Sequence, residues 1–144
     1  MTRGEDIERL VIAAHALTRI AALRTQNEAP VAQWRALTVL RNEGALRVGD
    51  LARASRTTQP GMTRLVGQLV EQGLVERGDD PEDSRATVVT ITDAGVRALS
   101  AWREELRLAL EPMFDGLSDD EWSALEHASR ILTVRANQPE GASR

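Results

Sequence analysis

Apolar side chains recur every three or four residues along most of the chain, which is the spacing of helices that bury one face. Two short stretches lack this spacing, and in the second of them Val89 and Ile91 alternate with Thr90 and Thr92, as in a half-buried strand. Turn-forming residues separate these elements. The pattern predicts helices over 5–25, around Trp34 to Leu40, over 48–54, over 59–72, from 93 to a kink or end between Pro112 and Gly116, and from 118 through 132, with strands over 74–77 and 86–91.

Residues that favour helix ends lie where this periodicity breaks. Gly44 and Gly73 are suited to ending helices, because glycine readily takes the left-handed conformation found there. Thr92 is predicted to cap the helix that follows it, and Ser118 with Glu121 has the spacing of a capping box. The last residues, NQPEGASR, are predicted to fray.

The stretch TTQPGMTRLV, residues 57–66, places two poor helix formers at the head of an apolar stripe. Proline is tolerated in the first turn because its missing N–H would have no partner inside the helix, and Thr58 can cap this end. Gly61 removes side-chain bulk where another molecule could approach. At about 100° per residue, Pro60 and Arg64 fall opposite the stripe. The stripe consists of Met62, Leu65, Val66, Leu69 and Val70.

A short helix, a three-residue turn and a longer helix together form a helix-turn-helix, the motif that inserts its second helix into the major groove of DNA. The hairpin that follows would form a wing. The predicted fold class is therefore mainly α with a small β-hairpin: a winged helix-turn-helix with additional N- and C-terminal helices. Winged helices also serve as scaffolds or protein-contact modules, so this pattern alone leaves those roles open.

The distribution of charge favours a nucleic-acid partner more than the total does. The net charge is −4, yet the segment from Arg47 to Arg64 holds four arginines against one acid, Asp50. Such a local excess suits contact with phosphates. The chain has no cysteine, which excludes disulfides, thiolate catalysis and thiol redox sensing. A charged N-terminus and the lack of any apolar window of about 20 residues favour a soluble cytoplasmic protein without a membrane span.

The segment GDLARASRTTQPGMTRLVGQLVEQGLVERGDDPEDSRATVVTITDAG resembles the DNA-binding lobe of the MarR family, the multiple antibiotic resistance regulators. The matching pieces are a recognition helix ending in LVEQGLVER, a wing with DPEDSR and the strand exit TITDAG. The resemblance extends over most of the chain. It implies a single MarR-like domain over 1–144, with dimerisation helices at 5–30 and 93–137, a DNA-binding lobe at 31–92 and a frayed tail at 138–144.

The resemblance implies a homodimeric, sequence-specific regulator of transcription that binds double-stranded DNA, with repression as the more common mode. Each recognition helix would enter a major groove, with half-sites about one helical turn apart on a pseudopalindrome. Arginine suits guanine and glutamine suits adenine, so the polar side of the helix is expected to read bases. The candidate base contacts are Gln59, Pro60, Gly61, Thr63, Arg64 and Gln68, and the candidate phosphate contacts are Arg47, Arg53, Arg56, Thr57, Thr58 and Arg77.

In the family, the Asp and the Arg of the wing motif lie at the wing tip, and the Arg reaches toward the minor groove. The matching residues are Asp83 and Arg85, and a carboxylate and a guanidinium two residues apart in a turn can pair. The tip also carries Asp79, Asp80 and Glu82. Repulsion between these acids and DNA phosphates would oppose the approach of the wing.

Family members often bind small compounds, frequently aromatic and anionic, between the dimerisation helices and the DNA-binding lobe. Such an effector acts by favouring one spacing of the two recognition helices over another. His15, Trp34 and Arg35 are the candidate lining residues, although Trp34 also suits the core and His15 lies at the edge of an apolar helix face. No cofactor and no metal site is predicted.

Two other function classes compete with a regulator. An enzyme is disfavoured, because His15 and His127 are single and far apart and no Ser-His-Asp, HExxH or Gly-rich phosphate motif occurs. A winged-helix module for protein assembly is the stronger alternative. Such a module would more often expose an apolar patch, whereas Gln59 to Gln68 present a polar face with an arginine. With these alternatives weighed, the resemblance implies a DNA-binding repressor that a small molecule releases.

Overall fold

In a computed structural model the chain divides into two compact units, and the structure describes residues 1–25, 27 and 29–138. The predicted helices are confirmed, and the predicted frayed tail, 138–144, lies outside the described residues except for residue 138. The first unit, 1–110, contains helices α1 (Arg3–Thr25), α2 (Val31–Glu43), α3 (Val48–Ala54), α4 (Gln59–Glu71) and α5 (Asp93–Leu110), with strands β1 (Leu46–Arg47), β2 (Val75–Asp79) and β3 (Thr87–Ile91). The second unit, 111–144, contains a 3-10 turn (Glu111–Phe114) and helix α6 (Asp119–Ala136).

The sheet is antiparallel with the strand order β1-β3-β2, so the predicted hairpin gains a third strand. In β1, Leu46 pairs with Val89 and Arg47 pairs with Val88. A two-residue strand is too short to show alternation, which explains why the sequence pattern missed it. The prediction also ended β2 too early: its ladder with β3 continues to Asp79, because backbone pairing there does not depend on an apolar side chain.

The N-terminus of α4 shows why Pro60 and Gly61 suit this position. The Oγ1 of Thr58 accepts a hydrogen bond from the backbone N–H of Gly61 at 3.2 Å, so Thr58 caps the helix as predicted. A Cβ on residue 61 would lie 2.9 Å from that same oxygen. Glycine therefore leaves room for the cap, and the proline occupies a first-turn position where no N–H is needed.

The core of the first unit is aliphatic and forms where α2, α3, α4, α5 and the sheet converge. The predicted stripe of α4 supplies four buried side chains to it, and Leu51 and Ala52 of α3 pack against the same cluster. The indole rings of Trp34 and Trp102 stack at its edge, with centroids 5.3 Å apart and planes inclined by 12°. The largest fully buried side chains are Leu37, Leu40, Leu51, Met62, Leu69, Leu99, Val66, Val75 and Val89.

The strand exit TITDAG anchors the start of α5 to the end of α4. The backbone N–H of Thr92 donates to the carbonyl of Leu74 at 3.1 Å, and its hydroxyl donates to the carbonyl of Gly73 at 2.6 Å. The same hydroxyl oxygen accepts from the N–H of Gly95 at 3.1 Å, which confirms Thr92 as the cap of α5. Gly95 is buried, and a Cβ there would lie 2.1 Å from the carbonyl oxygen of Leu74.

Helix α1 carries the predicted apolar stripe, yet most of that stripe is uncovered. Ala21 is buried, whereas Ile7, Leu10 and Val11 are 61%, 43% and 49% exposed. The attachments of this segment lie at its C-terminal end, where the Arg24 guanidinium donates to the backbone carbonyl of Ala109 at 3.2 Å. Most of the apolar stripe of α1 is therefore not covered within the first unit.

In the second unit, α6 begins with the predicted capping box, in which Ser118 and Glu121 exchange side-chain to backbone hydrogen bonds. The rings of Phe114 and Trp122 lie 6.2 Å apart in a tilted arrangement. No residue of α6 among those described is buried. Its exposed large apolar side chains are Trp122, Leu125, Ile131, Leu132 and Val134. Among the described residues, no helix has the length and apolar character needed to cross a membrane.

We expect Gly95→Ala to lower the free energy of unfolding by about 3 kcal/mol, because the new methyl group would overlap a backbone carbonyl that cannot move without disturbing the α4–β2 junction. Urea unfolding followed by circular dichroism measures this change. Gly78→Ala is the matched control, since a Cβ there meets no atom within 4 Å. Equal stability of the two variants would contradict the anchoring role of this junction.

Candidate nucleic-acid interface

Helix α4 presents the predicted polar face to the surface. Pro60, Thr63, Arg64 and Gln68 are exposed, while the apolar stripe on the other side is buried. The hydroxyl of Thr63 donates to the carbonyl of Gln59 at 2.9 Å, which occupies its proton and leaves its methyl group and oxygen lone pairs for an external partner. This face can therefore offer donors, acceptors and a methyl surface together.

The side chain of Gln59 lies over the first turn of α3. Its Oε1 is 3.6 Å from the position that a Cβ on Gly49 would take. The absence of a side chain at residue 49 thus leaves space for the amide of Gln59 between the two helices of the motif. Gln59 is the first residue of α4, and Gln68 lies more than two turns further along the helix.

The turn between α3 and α4 contains a backbone conformation that is unusual for its residue. Arg56 has φ 53°, the left-handed region that non-glycine residues rarely occupy. The preceding carbonyl, that of Ser55, accepts from the Arg35 guanidinium at 3.3 Å and from the Thr57 hydroxyl at 3.4 Å. The turn is thereby held from α2 as well as from within, and the side chain of Arg56 remains exposed.

The arginines predicted to meet DNA fall into two groups. Arg56, Arg64, Arg77 and Arg85 have no carboxylate of the described residues within 4.0 Å. Two others are already paired, Arg53 with Asp50 on the surface of α3 and Arg47 with Asp80 of the wing. The guanidinium of Arg77 lies beside the recognition helix, 4.0 Å from the position a Cβ on Gly67 would take.

The wing differs from the prediction in one contact. The expected ion pair between Asp83 and Arg85 is not the interaction that forms. The carboxylate of Asp83 accepts from the backbone N–H of Arg85 at 3.0 Å, an Asx turn that fixes the backbone and leaves the guanidinium available. Within the described part of the chain, no three His, Asp or Glu side chains are grouped so that they could hold a metal ion.

A small cavity of about 30 Å³ lies within the first unit, beside the stacked indoles. Trp34 is 8% exposed, and its buried Nε1 has no hydrogen-bond acceptor among the described residues. Of the three predicted pocket residues, Trp34 lines this cavity, whereas His15 is exposed on α1 and Arg35 is directed to the turn before α4. The lining residues are Thr18, Ala22, Thr25, Asn27, Ala29, Val31, Trp34, Trp102 and Leu106.

Comparison with known proteins agrees with this geometry. The sequence profile of the MarR family matches residues 30–86, which run from α2 to the wing. An HTH-type transcriptional regulator of Mycobacterium leprae is 32% identical over 107 residues, 74% of this chain and 75% of that protein. The chain belongs to the MarR family. In this MarR-family regulator, α3 and α4 form the DNA-binding helix-turn-helix and β2 and β3 form the wing.

Two further similar proteins have names that state a function. The HTH-type transcriptional repressor IacR of Pseudomonas putida is 27% identical over 126 residues, 82% of this chain and 74% of that protein. The solved structure of Bordetella bronchiseptica BpsR, whose DNA binding is regulated by 6-hydroxynicotinic acid, has the same fold. It gives a TM-score of 0.59 at 23% identity and covers 92% of this chain and 93% of that one.

Two features of the interface were not anticipated from the sequence. Trp102 belongs to the predicted apolar stripe of α5, but only the fold shows that it stacks on Trp34 across about 70 residues of chain. The pairing of Arg47 with Asp80 joins residues of β1 and the wing, and a charge pattern read along the chain does not reveal such a contact.

We expect Arg56→Gly and Arg56→Ala to weaken DNA binding equally and to reduce the salt slope by about 1, because both remove one phosphate-binding charge. Their stabilities should differ, because glycine relieves the left-handed strain. The free energy of unfolding of Arg56→Gly should therefore be at least about 1 kcal/mol higher than that of Arg56→Ala. Operator titrations at several salt concentrations and urea unfolding measure the two effects. An unchanged salt slope would remove Arg56 from the phosphate contacts.

Proposed function

We propose that the protein is a homodimeric transcriptional repressor that binds a pseudopalindromic operator and is released by a small aromatic or anionic effector. The observation that carries this proposal is the exposed polar face of α4, with a buried apolar stripe behind it and at its centre Arg64, which pairs with no carboxylate of the described residues. The fold leaves this face uncovered, and its side chains match the hydrogen-bonding groups of base edges.

The positions of the interface residues determine which part of the DNA each would contact. The exposed face of α4 reads bases: Arg64 pairs with guanine, and Gln59 and Gln68 pair with adenine. The turn before α4 and the wing meet the backbone, because Arg56 and Arg77 carry charges without a protein partner among the described residues. Arg85 enters the minor groove from the wing tip, where the Asx turn of Asp83 presents it. Thr57 and Thr58 add phosphate contacts at the head of α4.

The homodimer is supported by the apolar side chains that each unit leaves in solvent. In the first unit, α1 exposes Ile7, Leu10, Val11 and Ile12, and in the second unit α6 exposes a further apolar set. Several exposed large apolar side chains on one helix are typical of a protein interface. A second copy of the chain would cover both helices and place two α4 helices for half-sites about 34 Å apart. The family, whose members act as dimers, supports the same arrangement.

The effector site is proposed at the cavity beside Trp34 and Trp102. A flat aromatic compound can stack on the indoles, and an oxygen acceptor on it would satisfy the buried Nε1 of Trp34. The cavity has room for about one water molecule, so such a compound enters only if the lining side chains move apart. Because those side chains come from α1, α2 and α5, binding would shift these helices and with them the spacing of the recognition helices. The regulation of BpsR by 6-hydroxynicotinic acid supports this ligand class.

We expect Arg64→Ala to reduce the discrimination between bases at one operator position by on the order of 1–3 kcal/mol of binding free energy, because a bidentate contact to guanine would be lost. Discrimination at the other positions should change little. The operator is first identified as the sequence that the wild type enriches from random DNA. Wild type and variant are then titrated with this operator and with each of its single-base substitutions. Uniform weakening on every duplex would instead make Arg64 a phosphate contact. If the wild type enriches no sequence, the winged helix is better explained as a protein-assembly module.

For the effector site, we expect Trp34→Phe to weaken binding of 6-hydroxynicotinic acid or a related benzoic acid by about tenfold, since the phenyl ring keeps the stacking surface and loses the N–H donor. Calorimetry on the free protein measures this affinity. Trp122→Phe makes the same substitution in the second unit and should leave the affinity for the compound unchanged. Wild-type affinity in the Trp34 variant would place the effector elsewhere.

A further inference from the structure

The tip of the wing folds around Asp80. The backbone N–H of Asp80 donates to the carbonyl of Ala86 at 3.1 Å, and its carbonyl accepts from the N–H of Asp83 at 3.2 Å. Its Oδ1 accepts from the N–H of Glu82 at 2.9 Å. One residue thus makes three of the contacts that close the loop between β2 and β3, the loop from which Arg85 projects.

The remaining carboxylate oxygen of Asp80 is held from outside the hairpin. The Nε and the Nη2 of Arg47 each lie 2.9 Å from the Oδ2 of Asp80. The side chain of Asp80 is 13% exposed, whereas that of Arg47 is 48% exposed. An acid that is largely withdrawn from water depends more on its partner than an acid in an ordinary surface pair does, because the surrounding dielectric screens the attraction less.

The position of Arg47 links two parts of the interface. It is the second residue of β1, where it pairs with Val88 of β3, and it is also the residue that caps the start of α3 by its backbone geometry. Its guanidinium crosses from this point to the wing tip. The ion pair therefore connects the first helix of the helix-turn-helix to the turn that carries Arg85.

The ionisation of both partners favours a permanent contact at neutral pH. The pKa of Asp80 is lowered from its ordinary value, first by the hydrogen bond from the Glu82 N–H and then by that from Arg47. The pKa of Arg47 is raised, chiefly by its hydrogen bond to Asp80. The stabilising charge on Asp80 is therefore present above its ordinary pKa and disappears only as the pH falls through the lowered value.

We propose that Arg47 is a positioning residue rather than a phosphate contact: its ion pair with Asp80 fixes the wing turn against the helix-turn-helix and so sets the approach of Arg85 to DNA. The inference rests on the proposed operator binding. It replaces the phosphate-contact role predicted for Arg47 from sequence. It also assigns a structural role to one of the acidic residues of the wing tip. Asp80 is then the partner that holds the wing, although by charge alone it would repel the DNA backbone.

The two roles for Arg47 predict opposite signs for one substitution. If Arg47 binds phosphate, Asp80→Asn frees its guanidinium and removes a negative charge near DNA, so operator affinity rises. If Arg47 positions the wing, Asp80→Asn weakens the ion pair while the amide oxygen can still accept from the Glu82 N–H, so operator affinity falls, by about three- to tenfold. Fluorescence anisotropy on the enriched operator at one fixed salt concentration decides between them.

Asp79→Asn is the matched control for charge. Asp79 neighbours Asp80 at the end of β2, is exposed and forms no ion pair with a described residue. Its neutralisation should raise affinity slightly, because repulsion from phosphates falls and no contact is lost. A fall in affinity for Asp80→Asn together with a rise for Asp79→Asn supports the positioning role. A rise for both variants overturns it.

A measurement without DNA separates this inference from the proposed function. Amide hydrogen exchange by NMR reports the opening of the wing turn at Asp83 and Ala86, whose N–H groups close it. In Arg47→Gln both amides should exchange at least about threefold faster than in the wild type, while amides of the α4 core stay protected. Unchanged exchange at both wing amides would overturn the proposal even if the protein binds its operator.

Discussion

The apolar side of α4 packs into the core of the first unit through Met62, Leu65, Val66 and Leu69. Their burial fixes the rotation of the helix about its axis, since turning it would expose about four large side chains at roughly 1.5–3 kcal/mol each. The polar residues have no other direction left and must face solvent. The chemistry offered to DNA is thus a consequence of core packing, and changes in the core beneath α4 would alter recognition without touching an interface residue.

The same core extends to the wing and to α5 through backbone contacts that tolerate little variation. Thr92 binds the carbonyls of Gly73 and Leu74 and at the same time caps α5, and Gly95 permits the close approach. Any shift of α5, which also carries Trp102 beside the cavity, is therefore transmitted to the end of α4. This connection gives a physical route by which a compound in the cavity beside the indoles could act on DNA binding, provided that the protein has two arrangements of these helices.

The fold was largely predictable, because its signals are local. Thr58, Gly73, Thr92 and the Ser118–Glu121 box mark helix ends by rules that act over a few residues. The face of α4 followed from periodicity alone. Contacts between residues distant in sequence were not predictable: the strand β1, the stack of Trp34 on Trp102 and the bond from Arg35 to Ser55 each depend on the tertiary arrangement. The contacts of Arg47 with Asp80 and of Asp83 with the N–H of Arg85 were not predicted for the same reason, since charge along the chain does not identify the partner.

The proposed function requires that the protein recognise a specific DNA sequence through α4 and the wing. The most direct measurement is fluorescence anisotropy with the operator enriched from random DNA and with a scrambled duplex of equal composition, each at two salt concentrations. We expect saturable binding that weakens steeply with salt and that survives an excess of the scrambled duplex. No binding at low salt, or equal affinity for both duplexes, would contradict it.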